Sequence, residues 1–316
     1  MIGVGSSGCD DIAVGEFHSV VLKSGAVYAC GYGFYGQLGV NGSGNSATLI
    51  AMVGQGTSGC TAISANWQST IVLKGDAVYG CGNNSQGQLG DNTTSLRRVL
   101  TAMIGQGTSG CTAISSGNLH TIVLKGDAVY GCGFNGRGQL GDNTTTNRPV
   151  LTAMVGQGTS GCTEISTSLY HTLVLKGDAV YACGSNVYGQ LGDNTTTQRN
   201  VLTAMVGQGT SGCSKVAAGG FHSLVIKNGA VYACGLNGTG QLGDGTTTNR
   251  SVLTSMIGFG TSGCTQIYGG CKDVPFGDTV VLKYITPFTC GYNASGQLAD
   301  NTIVNKSQLV QCIFAP

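Results

Sequence analysis

Four histidines occupy one recurring position of the sequence, and imidazole is the side chain best suited to acid–base catalysis or metal binding near neutral pH. They lie 51 or 102 residues apart and are His18, His120, His171 and His222. A catalytic or metal site would require several of these rings to converge on one atom. The spacing instead places each histidine in its own copy of a repeat. We therefore predict packed or hydrogen-bonded histidines that fix the loop entering a strand.

Aspartates also recur at one position, next to asparagine or glycine, and suggest a calcium site. They are Asp91, Asp142, Asp193 and Asp244. One carboxylate beside one amide supplies too few oxygens, because calcium takes about six to eight. Aspartate, asparagine and glycine are also the residues that close turns, so we predict turn chemistry. No nucleophile–base grouping, metal-spaced cluster or phosphate loop stands elsewhere in the sequence, which predicts a protein that is not an enzyme and needs no cofactor or metal.

The composition indicates a folded chain without a charge excess. Charged residues make up 9% of the 316, the formal net charge is +1, and apolar residues reach 41%. A nucleic-acid binder would usually show a basic patch, and a membrane span needs a run of about 18 apolar residues. We therefore expect neither a nucleic-acid partner nor membrane insertion, and we expect the 55 glycines to serve turns.

A short stretch, Gly-Gln-Leu-Gly or a close variant, occurs six times. Its glutamines are separated by 51 residues four times and then by 56, and they are Gln37, Gln88, Gln139, Gln190, Gln241 and Gln297. Periods of this length are typical of solenoids, propellers and other repeat arrays. We predict a single domain over residues 1–316, built from six 51-residue repeats with a five-residue insertion in the last.

The local pattern within one repeat is β throughout. In the third copy, Cys111–Ser115 and His120–Lys125 are predicted strands, a Gly-Asp turn leads into Ala128–Gly133, and Pro149–Met154 is a fourth strand. No segment carries a useful helical period. Four antiparallel strands in each of six repeats predict an all-β fold, a β-propeller of six four-stranded blades. The alternative is a seven-bladed ring with one blade missing or supplied by another chain.

The repeat resembles that of the regulator of chromosome condensation superfamily. The resemblance rests on segments such as "YHTLVLK" and "VYACGSNVYGQLGDNTT", and it covers essentially the whole chain in six copies. It implies a β-propeller, usually of seven blades, and a role in nucleotide exchange on small GTPases. The chain departs from the family pattern in having only six copies and in placing cysteine where the repeat usually carries tryptophan.

Twelve of the fourteen cysteines fall at two repeat positions, and the remaining two, Cys271 and Cys312, both lie in the last unit. An even total with this pair left over predicts a Cys271–Cys312 disulfide and an oxidising compartment. For the repeated cysteines three alternatives stand: a strained bridge within a blade, a bridge between consecutive blades, or buried thiols. The disulfide candidates are Cys9, Cys30, Cys60, Cys81, Cys271 and Cys312.

Glycosylation sequons add a weaker indication of a secreted protein. An Asn-Thr-Thr triplet recurs in three copies, and its asparagines, the glycosylation candidates, are Asn92, Asn143 and Asn194. The first residues carry no signal peptide, but they align with the middle of a repeat. We therefore expect a processed segment of a secreted or cell-surface protein, with any targeting segment upstream.

Variation between the copies gathers in two loops, one between the first and second strands and one after the third strand. In an up-and-down blade both loops fall at the same end, and they carry aromatic side chains among polar ones, which suits recognition. The predicted ligand- or partner-binding face consists of Phe17, Tyr35, Trp67, Asn118, Phe134, Arg137, Tyr170, Tyr188 and Phe221. The alternative is that these loops drift freely or cover the strand ends.

These patterns favour a non-catalytic scaffold outside the cell or at its surface. We expect it to bind a protein or glycan partner through the variable loops, or to associate with itself as a structural subunit. The alternative function is regulation of a small GTPase by nucleotide exchange, which the family resemblance implies.

Overall fold

The computed structural model describes residues 8–106, 108–157, 159–207, 211–258, 261–270 and 277–313. It contains six four-stranded antiparallel sheets, in each of which the strands are hydrogen-bonded in chain order. No helix long and apolar enough to cross a membrane occurs among these residues. The prediction of an all-β fold with four strands per repeat is confirmed. We number the sheets as blades 1 to 6 along the chain.

The strands fall into two compact units, of which the first comprises Met1–Gly136 and Thr144–Met154. Blade 1 contains β1 (Asp11–Val14), β2 (His18–Lys23), β3 (Ala26–Gly31) and β4 (Ser46–Ala51). Blade 2 contains β5 (Cys60–Ala65), β6 (Ser69–Lys74), β7 (Ala77–Gly82) and β8 (Arg97–Ala102). Blade 3 contains β9 (Cys111–Ser116), β10 (His120–Lys125), β11 (Ala128–Gly133) and β12 (Arg148–Ala153).

The second unit comprises Arg137–Asn143 and Val155–Pro316. Blade 4 contains β13 (Cys162–Thr167), β14 (His171–Lys176), β15 (Ala179–Gly184) and β16 (Arg199–Ala204). Blade 5 contains β17 (Cys213–Ala218), β18 (His222–Lys227), β19 (Ala230–Gly235) and β20 (Arg250–Ser255). Blade 6 contains β21 (Cys264–Gly269), β22 (Asp278–Lys283), β23 (Thr286–Gly291) and β24 (Lys306–Gln311).

A two-residue turn joins the second and third strands of each blade, as in the pairing of Lys125 with Ala128. The first turn residue takes a positive φ, which is why glycine stands there in three copies. The space around it is open, and Ser24, Asn228 and Tyr284 occupy the same position with φ of 49°, 50° and 56°. Because these side chains are tolerated, glycine is preferred at this turn but is not required.

Within each unit the apolar core lies between consecutive blades. Between blades 1 and 2, Leu38 of the first Gly-Gln-Leu-Gly stretch packs in one cluster with Val20, Ile63 and Leu100. In the second unit, Leu242 of blade 5 packs with Ile267 of blade 6 in the same way. Fully burying a leucine contributes about 1.5–3 kcal/mol, so the repeated leucine is a main source of cohesion between neighbouring blades.

Candidate functional site

The two variable loops of each blade meet at one end of the sheet. In blade 1 the backbone N–H of Tyr32 donates to the carbonyl of Phe17 at 2.7 Å, and in blade 4 Ser185 donates to Tyr170 at 2.8 Å. We call this the loop end. The opposite end of each blade, which carries the two-residue turn between the second and third strands, is called the turn end.

The glutamine of the Gly-Gln-Leu-Gly stretch holds the second loop in place. Its side-chain Oε1 accepts the backbone N–H two residues earlier, at 3.0 Å both for Gln37 with Tyr35 and for Gln190 with Tyr188. In blade 4, Asn186 supplies a further brace, because its Oδ1 accepts the N–H of Leu191 at 2.9 Å. The loop backbone is therefore fixed by buried amides, while the variable side chains are left to project from it.

Blade 1 carries a cluster of four aromatic rings at the loop end, which we call the aromatic cluster: Phe17, Tyr32, Phe34 and Tyr35. The centroids of Phe17 and Tyr32 lie 6.1 Å apart, and those of Phe34 and Tyr35 lie 5.3 Å apart with the planes nearly perpendicular. Phe17 is 54% exposed and Phe34 is 58% exposed. Large apolar rings that remain so exposed while packing on one another form a preorganised contact surface.

The other predicted face residues differ in accessibility. In the second unit, Tyr188 and Phe221 form an edge-to-face pair at 5.5 Å, and Arg137 is exposed. Asn118 is only 7% exposed, so it offers little surface to a ligand. The remaining members are half-buried, and they are Tyr35, Trp67, Phe134, Tyr170, Tyr188 and Phe221.

Sequence reasoning did not single out three exposed or clustered residues of the same loops, namely Tyr32, Phe34 and Val187. Val187 is 59% exposed beside Tyr188. A signal was present, because Tyr32 and Phe34 lie in the same four-residue loop as Tyr35. Only the fourth position of that loop was chosen, whereas in the structure Tyr32 and Phe34 pack in the same cluster of rings as Tyr35.

Three of the histidines, His18, His171 and His222, lie between consecutive blades of one unit and contact a hydroxyl of the next blade. Nε2 of His222 lies 3.0 Å from the hydroxyl of Thr279 in the next blade, and that hydroxyl donates to the carbonyl of Gln241 at 2.7 Å. Because the hydroxyl hydrogen is used in this way, Nε2–H of the histidine donates to the hydroxyl oxygen. Burial lowers the pKa of His222 and of His18 to about 4, so both are neutral near pH 7. The prediction of packed, hydrogen-bonded histidines is confirmed.

The same glutamine carbonyl also meets a cysteine of the next blade. Sγ of Cys81 lies 3.7 Å from the carbonyl oxygen of Gln37, and Sγ of Cys234 lies 3.6 Å from that of Gln190. The Gly-Gln-Leu-Gly stretch therefore has two structural roles. It braces a loop of its own blade, and its carbonyl binds a hydroxyl and a thiol of the following blade.

The repeated aspartates are fully engaged by protein donors. Asp193 accepts hydrogen bonds from Asn186 Nδ2 at 2.9 Å, Thr195 Oγ1 at 2.7 Å and Arg199 Nε at 2.7 Å. Burial alone would raise the pKa of this carboxyl, but the hydrogen bonds from Thr195, Arg199 and Asn186 outweigh it and lower the pKa. Nowhere in the described ranges do three or more histidine, cysteine, aspartate or glutamate side chains gather as metal ligands.

The disulfide prediction is wrong for the cysteines that the structure describes. Thirteen of them, including Cys312, are thiols, and Cys271 lies outside the described residues. Register explains the absence of a bridge within a blade. Cys81 pairs with Thr70 but Cys60 pairs with Lys74, four residues further along β6 and therefore roughly 13 Å away. Burial also raises the pKa of the Cys81 thiol, which makes it unreactive.

We expect alkylation to reveal this difference in burial. In dilute native protein, iodoacetamide should modify Cys9, which is exposed, and Cys30, which is half-buried, and should leave the buried thiols such as Cys81 intact. In denaturant without reductant, all thirteen should react. Intact-mass spectrometry with peptide mapping measures both results, and a buried thiol that resists alkylation until reductant is added would contradict the assignment.

The asparagines of the predicted glycosylation sites have a backbone role. Asn92 and Asn194 both take φ of 61°, and their N–H groups donate to Pro149 and Ser251 in the outer strand of the next blade, each at 2.8 Å. Asn143 takes φ of 63° and donates to Asn200 in the same way. Asparagine recurs here because it tolerates the left-handed conformation.

Comparison with known proteins identifies the repeat. The sequence profile of the regulator of chromosome condensation (RCC1) repeat matches residues 127–175 and 178–226. The probable E3 ubiquitin-protein ligase HERC4 of Rattus norvegicus is 31% identical over 244 residues, which cover 71% of this chain and 23% of that protein. The ultraviolet-B receptor UVR8 of Arabidopsis thaliana is 27% identical over 208 residues, covering 64% and 47%. The chain thus spans less than half the length of each of these relatives.

Solved structures share the fold over nearly the whole chain. Human WBSCR16 superposes with a TM-score of 0.80 at 20% identity, covering 97% of this chain and 82% of that one. Prp20p of Saccharomyces cerevisiae superposes with a TM-score of 0.79 at 15% identity, covering 96% and 76%. At these identities the likeness concerns the fold alone, and the fold is a β-propeller of six four-stranded antiparallel blades.

These relatives overturn the prediction of an extracellular scaffold. HERC4, which is 31% identical to this chain, is a probable ubiquitin-protein ligase, and ligation of ubiquitin is an intracellular reaction. The predicted secreted or cell-surface location, the glycoprotein character and the glycan-binding or structural role outside the cell are therefore wrong. The alternative function, regulation of a small GTPase, agrees better with these relatives.

The repeat profile, the curated relatives and the solved structures agree with the resemblance noted in the sequence. The chain also departs from the usual repeat of this family, because cysteine stands at the usual tryptophan position in all six copies. The chain belongs to the superfamily of regulator of chromosome condensation repeat propellers.

Proposed function

We propose that this chain is a non-catalytic recognition propeller whose loop end binds a protein, and that this protein is a small GTPase whose nucleotide exchange it regulates. The observation that carries the proposal is the aromatic cluster, where exposed rings stand on a rigid backbone at the loop end. Truncation of such aromatic anchors typically costs about 2 kcal/mol or more of binding free energy, which is about a 30-fold loss of affinity.

The side chains that could perform chemistry support a non-catalytic role. His18 and His222 are neutral and hydrogen-bonded to the next blade, Asp193 is held by arginine and threonine, and burial raises the pKa of the Cys234 thiol. A propeller can still promote nucleotide release without catalytic groups. If it binds the nucleotide-free conformation of the GTPase more tightly, it lowers the affinity of the GTPase for the nucleotide.

The GTPase assignment follows from the family. The resemblance implies nucleotide exchange, and the structure of Prp20p, a protein of the same fold, is described with its binding to Gsp1p. A second candidate is recognition of a protein on behalf of a ubiquitin ligase, which the 31% identity to HERC4 favours. Both functions would use the loop end, and they differ in whether bound nucleotide is released.

Release of fluorescent GDP from a panel of purified small GTPases tests the proposal. We expect the chain to accelerate release from at least one of them, and we expect the double variant Phe17→Ala/Phe34→Ala to reduce that acceleration by about tenfold or more. Both side chains are more than half exposed, so the fold should tolerate their loss.

Tyr284→Ala is the matched control, because it removes an aromatic ring that is 74% exposed at a turn end. It should leave nucleotide release unchanged. Binding without accelerated release would favour the ligase-type recognition, and equal losses in the loop-end and turn-end variants would contradict a loop-end site.

A further inference from the structure

Within each unit, consecutive blades are joined by a repeated set of contacts, which we call the joint. The trailing half of a joint is the carbonyl of the Gly-Gln-Leu-Gly glutamine. The leading half, on the following blade, is a serine or threonine in the second strand and a cysteine in the third. At the joint between blades 1 and 2, Thr70 donates to the carbonyl of Gln37 at 2.8 Å, and Cys81 lies 3.7 Å from the same oxygen.

Blade 1 exposes a leading half. Ile12 is 51% exposed and Val14 is 67% exposed, whereas Ile63, the counterpart of Ile12 in blade 2, is 7% exposed. The polar members follow the same pattern, because Ser19 and Cys30 are half-buried, while the serines, threonines and cysteines at these positions in the later blades are fully buried. We call this surface the leading face: Ile12, Val14, Ser19 and Cys30.

Blade 6 exposes a trailing half. Gln297 is exposed, whereas Gln241 at the same position of blade 5 is fully buried. A Cβ placed on Gly296 would meet nothing within 4 Å, but on Gly240 it would meet the backbone of Lys306 in the next blade at 2.6 Å. Beside Gln297 the last blade therefore presents the geometry that elsewhere receives a neighbouring blade.

A cavity of about 680 Å³ lies on this side of blade 6, with Asp300, Cys312 and Ile313 in its lining. In blade 2 the counterpart of Asp300 is Asp91, which bridges to the outer strand of blade 3 at Val150. The counterpart of Ile313 is Ile104, whose carbonyl accepts the N–H of Leu151 in that same strand at 3.2 Å. The cavity thus occupies the side on which an outer strand packs at the regular joints.

We propose that the trailing side of blade 6 in one copy of this chain binds the leading face of blade 1 in a second copy, which forms one more joint of the same kind. The chemistry of the leading face defines the surface that binds it. The hydroxyl of Ser19 and the thiol of Cys30 need a backbone carbonyl as acceptor. The side chains of Ile12 and Val14 need an apolar surface to cover them. The exposed trailing half supplies the same groups as the buried ones. Such a head-to-tail contact joins two different surfaces of the chain. It therefore adds further copies to form a filament, unless the rotation between successive copies closes a ring.

Sedimentation velocity and alkylation across a concentration series test this inference, which does not rest on the proposed function. We expect self-association, with alkylation of Cys30 slowing at least tenfold as the oligomer forms, while free glutathione added to the same solution reacts at an unchanged rate as the reference. Val14→Arg should raise the apparent dissociation constant at least tenfold, because the new charge would be buried in the joint.

Val187→Arg is the matched control, because Val187 is 59% exposed in a loop of blade 4, which supplies neither half of the proposed joint, and it should associate like the unmodified chain. Three results would overturn the inference. They are a monomer whose Cys30 reacts at every concentration, a monomer whose Cys30 is always protected, and an oligomer that Val14→Arg and Val187→Arg weaken equally.

Discussion

Gly184→Ala is expected to destabilise the second unit by about 4 kcal/mol. Gly184 ends β15 at the loop end with φ of 110°, a conformation that residues with a Cβ rarely adopt. An added Cβ would lie 2.3 Å from the carbonyl oxygen of Tyr170 and 2.7 Å from Cα of His171. Both neighbours are backbone atoms, so no side chain can move aside. The free energy of unfolding from chemical denaturation measures the loss.

Gly177→Asn provides the comparison for this substitution. Gly177 also has a positive φ, 56°, but a Cβ there would meet nothing within 4 Å. Asn228 already occupies the equivalent turn position in blade 5. We expect the free energy of unfolding to change by less than about 1 kcal/mol. If both variants lost a similar amount of unfolding free energy, the close approach between the two loops of a blade would not be the reason that glycine is needed at position 184.

Lowering the pH from 7 to 4 is expected to remove several kcal/mol of stability. His18 and His222 have pKa values of about 4 in the folded protein, because burial disfavours the charged imidazole, against about 6.5 in the unfolded chain. The folded pKa is the lower one, so the unfolded state binds more protons between these values. Stability should therefore fall as the pH falls from about 6.5 to about 4, by up to ~1.4 kcal/mol per pH unit for each histidine.

Urea denaturation at several pH values between 7.5 and 4 measures this slope, and His222→Gln tests its origin. The variant should be less stable at pH 7, because Thr279 loses its donor, but its stability should depend less steeply on pH. Below about pH 4 the aspartates add a second loss, since the pKa of Asp193 and of Asp244 is lowered in the folded state. An unchanged slope in His222→Gln would contradict the assignment to the buried imidazole.

The strands were predictable because alternating apolar residues and a two-residue turn recur at a fixed period. The predicted strand His120–Lys125 matches β10, and the fourth strand differs only by one residue at each end. The partner of His222 could not be predicted in this way. Thr279 lies 57 residues further along the chain, and only the packing of consecutive blades brings the two side chains together.

The predicted compartment was wrong for a reason that lies in the repeat itself. Twelve of the fourteen cysteines are copies of two positions, so an even total says little about pairing. The register that separates Cys60 from Cys81 includes an irregularity after Cys60, which the sequence did not reveal. Exposure within the loops was equally hidden, because Asn118 and Phe17 belong to equivalent loops but only Phe17 projects into solvent.

The affinity of the chain for a responsive small GTPase, measured by calorimetry with the GTPase nucleotide-free and GDP-bound, tests the proposed function most directly. A protein that weakens nucleotide binding must itself bind the nucleotide-free form more tightly by the same factor. We predict an affinity at least tenfold higher for the nucleotide-free form, and loss of most of that difference in Phe17→Ala/Phe34→Ala. Equal affinity for the two forms, or a difference that survives in the double variant, would contradict nucleotide exchange through the loop end.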